Sequence, residues 1–189
     1  MLISLDVATK TGYALYDGKH PSAIRAGSFE CIGDTPEQKA ASLAAHLIRL
    51  IKGPMSAPQW PTFAVIEQPQ RNVQQFRKQG TRMMPEASGG LTINAGTALQ
   101  LNQLTGAAVA VLTGFRIPWE TIPVSTWRKA FFGKGTKAGS RQEWKRMARE
   151  QCRLLRIDVP NTDAAEAVGI AVAGAGLQTW RAMQAKAAA

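Results

Sequence analysis

Two carboxylates in the sequence follow apolar segments in which a charge is costly. Asp6 comes directly after residues 2–5, and Glu67 ends the apolar run at residues 63–66. A carboxylate in such surroundings needs a cationic partner, hydrogen-bond donors or a bound metal ion. Because no Lys or Arg at a neighbouring strand position offers an obvious partner, both residues are candidate metal ligands.

A third acidic element is the motif Asp163-Ala-Ala-Glu166, which precedes an apolar series at residues 168–172. Residues three apart share a face of a helix, so both carboxylates can point at one spot. The motif also fits a purely structural role, with Asp163 as the helix N-cap and Glu166 at the third helical position. The two interpretations are compatible, because carboxylates favour a helix N-terminus in either case.

Together the acids predict a centre for divalent metal ions. Carboxylates without His or Cys companions are hard ligands, which suit Mg²⁺, or Mn²⁺ as a substitute, rather than zinc. Two such ions about 4 Å apart hydrolyse a phosphodiester by activating water and stabilising the leaving oxygen, without a side-chain nucleophile. The predicted catalytic residues and metal ligands are Asp6, Glu67, Asp163 and Glu166.

The basic residues favour a nucleic acid as the partner. Lys and Arg number 23 against 13 acids, a formal charge of +10, and residues 128–156 contain ten basic residues but two acids. A solvated helix face normally mixes the two signs, so this region predicts contact with phosphates. The predicted contacts are Arg128, Lys129, Arg141, Lys145 and Arg149, of which Lys145 and Arg149 are expected on the outer face of a helix.

The segment that follows Glu67 is polar, basic and punctuated by glycine, which predicts a long functional loop at residues 68–90. An exposed aromatic residue among arginines can stack on an unpaired base, whereas Phe76 folded back onto the core is the alternative. Trp119, Trp127 and Trp144 have apolar neighbours and are expected in the core. The predicted nucleic-acid contacts of the loop are Arg71, Phe76, Arg77, Lys78 and Arg82.

The order of predicted elements indicates one α/β domain over residues 1–189. It has a mixed five-stranded sheet, an antiparallel meander followed by parallel strands, flanked by helices that must cover one face. All four acids then lie at strand ends or a helix start, at one edge. The elements are strands at 2–7, 12–16, 24–32, 62–67 and 117–123, and helices from Thr35 to Gly53, at 94–112, from Ser140 and from Asp163.

The remaining composition excludes several classes of protein. Cys31 and Cys152 are far apart and have no CxxC spacing, so neither a disulfide framework nor a zinc site is indicated. The sequence shows no signal peptide and no uncharged apolar run of 18 residues. We therefore expect a cytoplasmic protein without a membrane segment, and no small-molecule substrate.

The motifs and their order resemble the RuvC family of Holliday junction resolvases, in a phage or prophage-type version, which has the RNase H-like fold. The likeness extends to about Gly174, with Val7-Ala8 where the family usually has Pro-Gly and Glu166 where it commonly has Asp. Which of Asp163 and Glu166 contacts the metal directly therefore stays open. The motifs are Ile3-Ser-Leu-Asp6, Thr11-Gly-Tyr-Ala14, Ala64-Val-Ile-Glu67-Gln68, Asn94-Ala-Gly-Thr-Ala-Leu-Gln-Leu101 and Asp163-Ala-Ala-Glu166-Ala.

The resemblance implies a homodimer that nicks two strands of a four-way DNA junction symmetrically, with one active site and two Mg²⁺ ions per subunit. It also implies that Lys134 or Lys137 stabilises the charge on the reacting phosphate. Alternatives within the nucleases are an RNase H acting on hybrids and a flap nuclease, and a non-catalytic DNA-binding scaffold is a further one. An actin-like kinase or ATPase would need about twice the length and glycine-rich phosphate loops.

Overall fold

The computed structural model describes residues 1–53, 60–69 and 95–188. Five strands and six α-helices lie within them, together with a short 3-10 turn at Pro21–Ala23. The strands are β1 (Leu2–Asp6), β2 (Lys10–Tyr16), β3 (Arg25–Glu30), β4 (Phe63–Glu67) and β5 (Trp119–Ile122). The helices are α1 (Pro36–Lys52), α2 (Ala95–Gly114), α3 (Val124–Phe132), α4 (Arg141–Leu154), α5 (Thr162–Gly174) and α6 (Gln178–Ala188).

The strands form one mixed sheet in the order β3-β2-β1-β4-β5. The first three strands are an antiparallel meander, and β4 and β5 add to it in parallel beside β1. The predicted fold class is therefore confirmed. β1 is the central strand, and its parallel pairing with β4 brings the carboxyl ends of these two strands to the same edge.

Helices cover both faces of the sheet, whereas the order of predicted elements required them on one face. Leu2, Phe63 and Val65 face a core built with α3 to α6, and Ile3 and Ile66 face a second core built with α1 and α2. The reason is visible in β1 and β4, which are buried at every position before their terminal acids. Such strands have no solvent side and need cover on each face.

Helix α1 forms as its sequence signals predict. The Thr35 hydroxyl accepts from the Gln38 amide at 3.3 Å, and the Gln38 side chain accepts from the Thr35 amide at 3.2 Å, completing a capping box. The apolar stripe buries Leu43, Leu47 and Ile51, and Gly53 ends the helix at φ 31°. This helix therefore follows from local sequence chemistry alone.

Two helices lack such signals and were missed. Helix α3 begins after Pro123 without a side-chain cap, and it is held by burial of Trp127 and Phe131. The single last helix expected from Asp163 is in fact two helices. Backbone hydrogen bonds from Gly176 to Ala173 and from Leu177 to Gly174 form tight turns between α5 and α6. The presence of α3 arises from tertiary packing, which overrides weak local preference.

Helix α5 crosses directly against the sheet. The buried Ser4 hydroxyl donates to the carbonyl oxygen of Ala167 at 2.6 Å, which joins the middle of β1 to the helix. A Cβ atom added at Gly174 would lie 2.7 Å from the Val65 side chain, so the helix backbone approaches the strands too closely for larger residues. These two contacts hold α5 against β1 and β4.

Within the described ranges, no helix combines the length and apolar character needed to cross a membrane.

Candidate metal centre

Asp6 and Glu67 end neighbouring parallel strands and point to the same side of the sheet. The register pairs Leu5 with Ile66, so the next position on each strand is an acid. Side chains alternate between faces along a strand, and Asp6 and Glu67 fall on the side of Leu2 and Phe63. The sheet therefore places two carboxylates next to each other at one edge.

The N-terminus of α5 adds the other two acids. Its N-cap is Asn161, whose side chain accepts from the Ala164 amide at 3.0 Å, so the interpretation of Asp163 as the cap is wrong. The Asp163 carboxylate is left available for other contacts. One carboxylate oxygen from each of Asp6, Asp163 and Glu166 lies within 4.8 Å of the others.

Gly12 explains why α5 can come this close to β1. Gly12 is paired with Asp6 across the two strands, and an added Cβ would lie 2.1 Å from the carbonyl oxygen of Asp163. In the turn between Asp6 and β2, the Thr11 hydroxyl donates to the carbonyl of Ala8 at 2.6 Å. The turn after Val7-Ala8 is thus closed by a side chain, and the glycine beneath α5 leaves room for the helix.

Glu67 is set apart from the group of three. Its Oε2 accepts a 2.7 Å hydrogen bond from the indole Nε1 of Trp127, a fully buried side chain of α3. Trp127 lies in the core, as its apolar neighbours predict, but its contact with Glu67 was not predicted from the sequence. The available signal is chemical, since a buried tryptophan N–H usually finds an acceptor. Trp119, also expected in the core, is 39% exposed.

Two cations contact the acids. Lys145 Nζ lies 2.6 Å from Oδ1 of Asp163 and 3.8 Å from Oε2 of Glu166. Arg128 Nη2 lies 3.9 Å from Oε1 of Glu166, and its guanidinium carbon is 4.5 Å from the centre of the Trp144 ring. The expectation that Lys145 lies on the outer face of α4 is therefore wrong, because this side chain turns towards α5.

The electrostatics of the cluster favour a further cation. Burial raises the pKa of Asp6 well above its usual range, and the three neighbouring carboxylates raise it further. Burial also raises the pKa of Glu67 and of Glu166, although Trp127 and Lys145 respectively oppose this. Like charges held this close are unfavourable without a compensating cation. All-oxygen donors of this kind fit Mg²⁺ or Mn²⁺.

The other predicted residues are distributed around this centre. Lys134 and Lys137 are exposed in the loop before α4, and across the described ranges no ion pair joins either lysine to the acids. Lys129, Arg141 and Arg149 are exposed, and the charge of Arg141 lowers the pKa of Glu67 and Glu166. The predictions for Arg71, Phe76, Arg77, Lys78 and Arg82 lie outside the described residues.

A groove beside the centre has a lining that is basic on balance, because Glu150 and Asp158 contribute two acids against four Lys and Arg side chains. It has a volume of about 1200 Å³, and Lys145, Arg146, Arg149 and Arg153 of α4 line it together with Thr162, the residue before Asp163. Phosphate groups of a nucleic acid are attracted to such a lining. The groove therefore connects the candidate metal centre to the basic surface of α4.

The sheet order and its helices define an RNase H-like fold. The chain is similar to the "Thermus thermophilus RuvC structure", at 16% sequence identity and a TM-score of 0.56, covering 97% of this chain and 96% of that chain. It is also similar to "T. thermophilus RuvC in complex with Holliday junction substrate", at 14% identity, 91% and 90% coverage, and a TM-score of 0.56. No protein-family profile and no curated protein matches. The expected likeness to RuvC is confirmed at the level of fold.

Proposed function

We propose that the protein is a Mg²⁺-dependent endonuclease that nicks four-way DNA junctions by two-metal phosphodiester hydrolysis. The supporting observation is the convergence of Asp6, Asp163 and Glu166 within 4.8 Å, on a fold shared with a structure of RuvC bound to a Holliday junction. Residues 1–189 act as a single nuclease domain in this proposal.

The residues of the centre have different roles in this proposal. Asp6, Glu67, Asp163 and Glu166 hold the ions, and activation of water together with neutralisation of the leaving oxygen is the chemistry that Mg²⁺ supplies when bound. Trp127 keeps one oxygen of Glu67 in a hydrogen bond and so orients the other. No nucleophilic side chain is required for this reaction.

The basic surface binds the DNA backbone in this proposal. Lys129, Arg141 and Arg149 are exposed, and Arg149 lines the groove. Phosphate contacts of this kind position a substrate without reading its sequence. Lys134 and Lys137, in the loop before α4, remain candidates for stabilising the reacting phosphate. Binding should weaken steeply with added salt, because phosphate contacts release counterions.

Helix α2 supports the proposed homodimer. Its 20 residues contain no charged side chain, although the chain carries a net charge of +10. Leu99 is 63% exposed on its outer side, and Ala110 is exposed on the same side. An uncharged outer face suits a second copy of the chain better than it suits solvent.

The dimer is tested by light scattering on the purified protein. Leu99→Lys should convert the dimer to a monomer by placing a charge in the interface. Leu154→Lys is a matched control, because Leu154 is also 63% exposed but lies on α4. A wild-type monomer, or equal effects of the two substitutions, would exclude α2 as the interface.

The activity is tested with labelled synthetic substrates: a four-way junction, a flap, a linear duplex and an RNA–DNA hybrid, each with Mg²⁺ or with EDTA. We expect paired nicks in the junction and in no other substrate, and only when Mg²⁺ is present. Asp6→Asn should abolish them, and Asp34→Asn, which changes an exposed acid between β3 and α1, should not.

The alternatives make different predictions in the same assay. Cleavage of the hybrid or of the flap, without cleavage of the junction, would identify that nucleic acid as the substrate. Tight junction binding without any cleavage would favour a DNA-binding scaffold. Cleavage in EDTA, or by Asp6→Asn at the wild-type rate, would eliminate the metal mechanism.

A further inference from the structure

Lys145 occupies the space between the two acids of α5. Its ammonium group is 2.6 Å from Asp163 and 3.8 Å from Glu166, and both oxygens also belong to residues of the candidate metal centre. A hydrogen bond of this length between charged groups is among the strong ones in proteins. The ammonium therefore already provides the cation that these two carboxylates need.

A divalent ion at this centre and this ammonium would compete for the same two carboxylates. Mg²⁺ binds carboxylate oxygens at about 2.0–2.1 Å and demands near-ideal octahedral geometry. An ammonium group hydrogen-bonded to Oδ1 of Asp163 takes up one of the directions from which that oxygen binds an ion. It also places a positive charge within a few ångströms of the ion, in a partly desolvated site where such repulsion is large.

The surroundings of Lys145 allow it to leave. Its side chain is 24% exposed and lines the basic groove of about 1200 Å³, so space for the extended side chain lies next to it. Helix α4 itself is held by the Ser140 N-cap and by buried Ala148 and Cys152. A change in the side-chain rotamer is enough, and the helix need not move.

We propose that Lys145 is an internal counter-ion that occupies a cation position in the metal-free protein, and that a divalent ion displaces it into the groove. This inference rests on the proposed function, since it concerns the same centre. Lys145 thereby lowers the affinity for the ion, and it stabilises the acidic cluster while no ion is bound.

Metal affinity is the first test, measured by titration calorimetry with Mn²⁺ in the absence of DNA. Lys145→Gln should bind Mn²⁺ at least about tenfold more tightly than the wild type, because no ammonium hydrogen bond has to be broken. Lys145→Met is a second variant that keeps the length of the side chain without its charge. Arg181→Gln is the control, since it removes one charge from an exposed position on α6, outside the groove, and its affinity should change by less than about twofold.

Displacement is tested on the unaltered protein by chemical labelling. An amine-acetylating reagent is applied with and without Mg²⁺, and acetylation is read at each lysine by peptide mass spectrometry. We expect Lys145 to be acetylated several times faster with Mg²⁺, because it leaves its partners for the groove, while the exposed Lys129 is unaffected. In Asp6→Asn, which lacks a metal ligand, Mg²⁺ should leave the Lys145 rate unchanged.

The outcomes separate this inference from the proposed function. If the wild type binds Mn²⁺ and nicks junctions, but Lys145 acetylation stays constant or falls with Mg²⁺, the displacement is wrong and the proposed function stands. Weaker Mn²⁺ binding by both Lys145 variants would likewise overturn it and make Lys145 a support for the ligands. If the wild type binds no Mn²⁺ at all, both proposals fail.

Discussion

Gly12 is the position where the smallest substitution should damage the metal centre most. It lies on β2 opposite Asp6 and directly beneath the first turn of α5. Its backbone is not in the left-handed region, so Gly12→Ala introduces a steric conflict without a conformational one. The new methyl group would lie 2.1 Å from the carbonyl oxygen of Asp163 and 2.5 Å from its carbonyl carbon.

The size of the displacement follows from those distances. Contacts of a Cβ below 3.0 Å essentially never occur, so the Asp163 backbone must retreat by about 0.9 Å. β2 cannot yield instead, because it pairs with β1 on one side and with β3 on the other. A misplacement of about 1 Å in a catalytic group costs on the order of 100-fold in rate. Overpacking should also reduce the free energy of unfolding by about 1–3 kcal/mol.

The assay combines three measurements on Gly12→Ala: junction nicking at saturating Mg²⁺, Mn²⁺ affinity by calorimetry, and urea unfolding. Gly114→Ala is the control, because within the described residues no atom beyond its own helical turn lies within 4 Å of the position where its Cβ would be built. The control should retain the wild-type rate and affinity. A folded Gly12→Ala protein with nicking and Mn²⁺ affinity within threefold of wild type would refute the placement of α5 and its acids.

Three further predictions concern the same region. In EDTA, Asp6→Asn should unfold at a higher urea concentration than the wild type at pH 7, and the difference should vanish near pH 4. Because the pKa of Asp6 is raised in the folded protein, the wild type loses stability as the pH rises above the ordinary value of 3.8. Equal stability of the two proteins at pH 7 would contradict this. Trp127→Phe keeps an aromatic ring but removes the indole N–H that donates to Glu67. Mn²⁺ affinity by calorimetry should therefore fall about 10–100-fold, and an unchanged affinity would show that this hydrogen bond does not orient the ligand. Ser140→Ala removes the acceptor for the Glu143 amide at the start of α4 and should cost about 1 kcal/mol in urea unfolding, with no loss expected if the cap is not formed in solution.

The sequence by itself determined the strands and the best-capped helices. Apolar runs ended by Asp6 and by Glu67 identified two buried strands, and the alternation of side chains along a strand is a local property that any tertiary fold must respect. The Thr35 capping box likewise lies within four residues. Such signals are complete within a short segment, so they can be read before the fold is known.

Only the tertiary structure decided which groups surround the acids. Trp127 and Glu67 are 60 residues apart, and Lys145 and Asp163 are 18 apart on different helices. Their contact depends on how α3, α4 and α5 pack, which the period of a single helix does not specify. The closeness of α5 to β2 depends in the same way on Gly12, whose role appears only when another backbone lies against it. Local chemistry therefore determined the ligand types, and long-range packing determined their partners.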